Sequence, residues 1–232
     1  MTRRLLLVRH GITAWNAEGR FQGHRDPPLS DEGRAEARLL GDRLRHDPDE
    51  RPARIVSSPL RRALETAQLM APNAEVATDA GLIEIGQGEW EGRTHAELAR
   101  EDAARYTAWR THEQAAPPGA EPLEEARARA LVATRAAIAG ADDAGTWPMC
   151  LVTHGGTIRL IAAELLGIDP ARAWALDVDN AALCILGEHE DGWRIERWND
   201  VIHLLRGGHA LTDDVDAQTT QRPAKDLPPR AL

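Results

Sequence analysis

The stretch Leu5-Leu6-Leu7-Val8-Arg9-His10-Gly11 is a short, unbroken apolar run that ends in two basic residues and a glycine. It is too short for a helix and shows no polar alternation, so it predicts a strand buried on both faces. A second run ends in a similar way: Cys150-Leu151-Val152 is followed by Thr153-His154-Gly155-Gly156. Weaker strand patterns cover 54–57, 75–77, 182–186 and 193–198. Helical patterns alternate with them. Ser30 is a cap for a helix from Asp31, with Gly33, Ala37, Leu40 and Leu44 on one face. Ser58-Pro59 reads as a cap with proline at the first helical position, followed by Leu60, Ala63, Leu64 and Ala67. Residues 123–139 are rich in Ala and Arg and have high helix propensity. Ile158, Ile161, Ala162, Leu165 and Leu166 form an apolar helical stripe that Gly167 stops. This alternation predicts an α/β sandwich with a mostly parallel sheet.

The chain has 232 residues, enough for one sizeable domain. A chain of this length buries roughly 70% of its unfolded surface. Lys+Arg 28 against Asp+Glu 37 gives a net charge of −9. An acidic chain argues against a non-specific nucleic-acid or anionic-membrane binder, which needs a positive field. It leaves room for a small anionic substrate held by a local cluster of arginines. Two cysteines, Cys150 and Cys184, sit in apolar runs and read as buried reduced thiols. The apolar run ahead of Arg9 is too short for a signal-peptide core, and no run is long enough to cross a membrane, so a cytoplasmic location is expected. Residues 208–232 are polar and rich in proline, and read as a flexible tail behind a domain over 1–207.

In open α/β sheets, ligands bind beyond the carboxyl ends of the strands. His10 and His154 both fall there, on one rim if their strands are neighbours. The glycine after each lets backbone N–H groups approach a ligand, and a helix start nearby favours an anion. Arg supplies a planar fork that matches two phosphoryl oxygens. The pattern therefore points to phosphate chemistry. A zinc site fails for want of a third ligand, since no HxxxH, HxH or CxxC spacing occurs.

The segment from Leu7 to Asn16 (LVRHGITAWN) resembles the signature of the histidine phosphatase superfamily, also called the phosphoglycerate-mutase-like family. Four further blocks are similar to that family and arrive in its order. They are Gly19–Gly23 with Asp26–Ser30 and Gly33, then Ser57–Ala63 with Thr66 and Ala67, then Leu82–Gly92, and Thr153–Gly156. The blocks cover about residues 4–205. The resemblance implies a three-layer α/β/α sandwich with a mostly parallel central sheet. It implies that His10 becomes a phosphohistidine, with Arg9, Arg62 and His154 around the phosphoryl oxygens. Asn16, Thr13 and backbone N–H groups near Gly155 complete the pocket, and Gln22 and Gly23 touch the substrate. Glu84 is the implied proton donor and then the base for water. Its flanks, Leu82, Ile83 and Ile85, suggest an apolar setting. Glu89 and Glu91 read as loop charges, and Arg61 as an exposed one. No metal and no cofactor is implied.

Two positions depart from the family's pattern. Ile12 stands where Glu or Gln is common, and Ala120 and Pro122 flank Glu121 in a block usually read as Gly-Gly-Glu-Ser. His203 reads as structural. The block around Glu84 is closer to the phosphatase branches than to the mutases, so hydrolysis of a small phosphorylated metabolite is the expected activity. A cofactor-dependent phosphoglycerate mutase and a catalytically weak phospho-ligand binder are the rival readings. Residues 94–122 are read as a lid that sets substrate choice. Oligomeric state stays open, with a homodimer among the options.

Overall fold

The computed structural model describes residues 3–111 and 116–206. Strand β1 (Arg4–Arg9) leads through the short helix α1 (Ala14–Ala17) to α2 (Asp31–His46), β2 (Arg54–Ser57), α3 (Arg61–Met70) and β3 (Val76–Thr78). Then follow α4 (His95–Glu101), α5 (Ala103–Arg110), α6 (Leu123–Ala144), β4 (Met149–Thr153) and α7 (Gly155–Leu166). The chain continues through β5 (Leu183–His189), β6 (Gly192–Asp200) and α8 (Ile202–Arg206). The strands form one sheet in the order β3-β2-β4-β1-β5-β6. The first four are parallel neighbours, β5 runs antiparallel to β1, and β6 antiparallel to β5.

The uniform apolar runs have a direct structural cause. Leu5 and Leu7 of β1, with Met149 and Leu151 of β4, pack into a core beneath α6 and α7. Leu6, Val8, Cys150 and Val152 point the other way, against Leu40 and Leu44 of α2 and Ala63 and Ala67 of α3. Both faces of the central strands are covered, so their middle positions are apolar and polar residues enter only at the ends, as at Arg9 and Thr153. Helices therefore lie in layers on either side of the sheet. Cys150 and Cys184 are buried free thiols, and burial pushes both pKa values up, that of Cys184 to about 12.

Most helix limits follow from local chemistry. Ser30 Oγ accepts from the Gly33 N–H and caps α2. Gly167 ends α7 with a left-handed φ of 63°. The alanine-rich helix α6 runs to Ala144, five residues beyond the expected 139, and stops at Gly145. One expectation needs correction. α3 starts at Arg61 rather than at Pro59, with Leu60 as its cap and no side-chain capping bond. The Ser58 hydroxyl meets His154 instead. The 208–232 tail and His112 lie outside the described residues. No helix among the described residues is long and apolar enough to cross a membrane.

Candidate active site

The register of β1 and β4 builds the centre of the site. Arg9 pairs with Thr153, so the next residues, His10 and His154, emerge side by side at the carboxyl end of the sheet. Their ring centroids are 5.2 Å apart, and the His10 N–H donates to the Thr153 carbonyl at 3.0 Å. Both rings are buried. Burial and the guanidinium charges of Arg62 and Arg9 hold the His10 pKa well below its ordinary value, while its bond to Gly11 opposes them. Burial, with Arg62 next, does the same for His154. Both imidazoles are therefore neutral at physiological pH.

The neutral tautomer of His10 follows from its partner. His10 Nδ1 lies 2.8 Å from the Gly11 carbonyl, which can only accept, so Nδ1 carries the proton and Nε2 keeps its lone pair. The Asn180 amide donates to the His10 carbonyl at 3.1 Å. His154 Nε2 lies 2.8 Å from Ser58 Oγ. That oxygen also accepts from the Leu60 N–H at 3.3 Å. His154 Nδ1 is a buried ring nitrogen with no protein partner among the described residues.

Two arginines supply the positive charge. Arg9 is buried and donates to the Val178 carbonyl at 2.7 Å. Arg62 is fully buried, and its fork donates to the Arg25 carbonyl at 2.7 Å and the Gly23 carbonyl at 2.9 Å. Burial lowers its pKa to about 10, so it stays charged at neutral pH. Its Nε is a buried donor without a protein partner among the described residues. Gly23, in the left-handed region at φ 50°, turns the chain over Arg62. Arg61, its neighbour, is exposed.

Glu84 reaches the N-terminus of α7. Its carboxylate accepts from Gly156 N–H at 3.2 Å, Thr157 N–H at 3.2 Å and the Ile85 N–H at 2.9 Å. The apolar setting suggested by its flanks is thus corrected. Leu82 and Ile85 turn into the cores, whereas the carboxylate is half-buried among N–H donors. The backbone donors expected near Gly155 are likewise largely taken, since those of Gly156 and Thr157 serve Glu84.

The peripheral positions divide. Asn16 closes a capping box with Thr13, its Oδ1 accepting from Thr13 N–H at 3.1 Å and Oγ1 at 2.9 Å. The Thr13 hydroxyl is therefore engaged inside its own turn. Gln22 is half-buried, its Oε1 unpartnered among the described residues. Ile12 packs inward, and its N–H donates to the buried Glu36 carboxylate at 2.8 Å. Glu91 is more than a loop charge, because it accepts from His24 N–H at 2.9 Å and Gln87 N–H at 3.0 Å. Glu89 is exposed. Glu121 is tied to Arg129 by two bonds of 2.7 Å. Ser58, Asn180 and Arg129 were not singled out by sequence as site residues. Ser58 carried a capping signal and a place in the third family block but no assigned role, and Asn180 and Arg129 carried no signal. Among the described residues no three His, Cys, Asp or Glu side chains group to hold a metal ion.

This geometry agrees with what the chain resembles. Residues 5–201 match the family model of the histidine phosphatase superfamily (branch 1). A glucosyl-3-phosphoglycerate phosphatase of Mycobacterium tuberculosis is 36% identical over 218 residues, covering 85% of this chain and 94% of the relative. The adenosylcobalamin/alpha-ribazole phosphatase of Salmonella typhimurium is 34% identical over 178 residues, covering 76% and 86%. A solved mycobacterial glucosyl-3-phosphoglycerate phosphatase in complex with VO3 superposes with a TM-score of 0.76 at 34% identity, covering 85% of this chain and 99% of that one. The chain belongs to the histidine phosphatase superfamily. Within it, the chain is a phosphoric monoester hydrolase.

Proposed function

We propose that the chain hydrolyses small phosphate monoesters through a phosphohistidine on His10. The observation that carries this reading is the His10 ring: neutral, with Nδ1–H fixed on the Gly11 carbonyl and Nε2 left as the nucleophile beside Arg9, Arg62 and His154. In the first step the Nε2 lone pair attacks phosphorus, the ester P–O bond breaks, and Glu84 gives a proton to the departing oxygen. In the second, a water oxygen attacks phosphorus, Glu84 takes its proton, and the P–N bond breaks to release phosphate. Arg9, Arg62 and His154 hold the equatorial oxygens. The arginines provide the neutralising charge, so no metal is required. Asn16, Gln22, Gly23 and Gly155 border the substrate.

The catalytic domain covers 1–207. Residues 94–122 form its cover, where Tyr106 and Trp109 of α5 stack at 5.9 Å and pack on Phe21 and Trp90. That cluster ties the cover to the loop that also carries Gln22 and Gly23, which suits a role in substrate choice. The substrate is a small phosphorylated metabolite, and glucosyl-3-phosphoglycerate is the first compound to try, followed by alpha-ribazole phosphate. The test incubates the protein with p-nitrophenyl phosphate in EDTA, then with 3-phosphoglycerate and a trace of its bisphosphate. Phosphate release that EDTA leaves untouched supports the reading. Isomerisation without net release establishes a mutase instead, and neither activity leaves a binding role.

A further inference from the structure

All five N–H donors of Arg129 are engaged by protein, and three of the acceptors are carbonyls of one short segment. Nε donates to Glu121 Oε1 at 2.7 Å. One terminal nitrogen donates to the carbonyls of Gly81 at 2.9 Å and Ile83 at 2.7 Å. The other donates to the Glu84 carbonyl at 2.9 Å and to Glu121 Oε2 at 2.7 Å. Glu121 Oε2 also accepts from the Gly86 N–H at 3.0 Å. A single ion pair, with Arg129 based on α6, therefore grips the backbone at 81, 83, 84 and 86. The Glu84 side chain leaves that segment to reach α7. With every donor used, the guanidinium has none left for a substrate. Its chemistry is mechanical, and it fixes the stem on which the carboxylate stands.

We propose that the Arg129–Glu121 pair is the positioning device for Glu84, setting where its carboxylate meets the leaving oxygen. The inference rests on the reading of Glu84 as the proton donor. Arg rather than Lys is needed, because an ammonium is a point donor and cannot bridge three carbonyls and a carboxylate at once. A displacement of the acid by an ångström can cost about 100-fold in rate. The loss appears only where the leaving oxygen needs a proton.

The experiment measures kcat/KM for ethyl phosphate, whose alkoxide must be protonated, and for p-nitrophenyl phosphate, whose phenolate need not be. The ratio of the two within each variant is independent of how much enzyme is folded. Arg129→Gln and Arg129→Lys should both lower that ratio by about 10–100-fold. In a Glu84→Gln background, Arg129→Gln should leave the ratio where Glu84→Gln alone sets it. Should Arg129→Gln yield no folded protein, Arg129→Lys and Glu121→Gln carry the same comparison. An unchanged ratio, full rescue by lysine, or a further fall in the Glu84→Gln background overturns the positioning role. If Glu84→Gln itself leaves the ratio unchanged, the proton-donor reading fails first, and the two failures are told apart.

Discussion

Gly156→Ala should separate the stability of the fold from the placement of Glu84. Gly156 sits in the first turn of α7, where alanine is ordinarily the better helix former by up to about 1 kcal/mol. A Cβ there would lie 2.6 Å from Glu84 Oε1 and 2.8 Å from Ile85 Cδ1. Both are the ends of side chains, so they give way without moving backbone. Oε1 must retreat by roughly 0.8 Å to reach a normal contact, at a cost in rate of about 40-fold if an ångström costs a hundredfold. Its bonds to the Thr157 N–H and hydroxyl, already 3.2 and 3.4 Å, would then pass out of range. Each such bond contributes about 1 kcal/mol, so together they outweigh the gain in helix propensity by about 1 kcal/mol and the melting temperature should fall by about 2–4 °C. The assay is kcat/KM on glycerol 3-phosphate and on p-nitrophenyl phosphate, beside a thermal melt. The alkyl ester should lose about 40-fold and the nitrophenyl ester little. Equal losses on both esters, or none on either, would refute the link between this glycine and the acid.

Two further substitutions test the electrostatics. Arg62→Lys keeps the charge but cannot hold the Gly23 and Arg25 carbonyls together; kcat/KM should fall about 100-fold or more. Urea unfolding of the same variant should show a loss of about 2–3 kcal/mol. The buried His203 is held down to a pKa of about 4, chiefly by burial, against an ordinary 6.5. Between those values the unfolded chain binds a proton that the folded chain refuses, so acidification favours unfolding. The contribution is on the order of 3 kcal/mol by pH 4. His203→Gln should flatten, though not abolish, the fall in urea stability from pH 7.5 to 4.5, because His10 and His154 titrate in the same direction; an unchanged slope would contradict the assignment.

Much of this arrangement was legible because it is local. Leu5–Val8 and Cys150–Val152 are uniformly apolar since both faces of their strands are covered, and that property shows in a single line of sequence. The Ser30 cap and the Gly167 stop depend only on neighbours in the chain. What failed was environment set from a distance. The residues flanking Glu84 are apolar, yet its carboxylate meets N–H groups of a helix that begins more than 70 positions later. Ser58 carries a capping signal, but His154 claims its hydroxyl and the helix starts three positions after it. Asn180 and Arg129 act through backbone carbonyls of remote segments, and carbonyls leave no mark in a sequence.

The most direct test of the account is to trap the enzyme in mid-turnover. Protein mixed with a radiolabelled phosphate monoester and quenched in alkali within milliseconds should carry label on the peptide containing His10. That label should survive alkali and be lost in acid, and His10→Ala should show neither label nor turnover. Steady hydrolysis with no labelled protein, or label on His154 in place of His10, would contradict it.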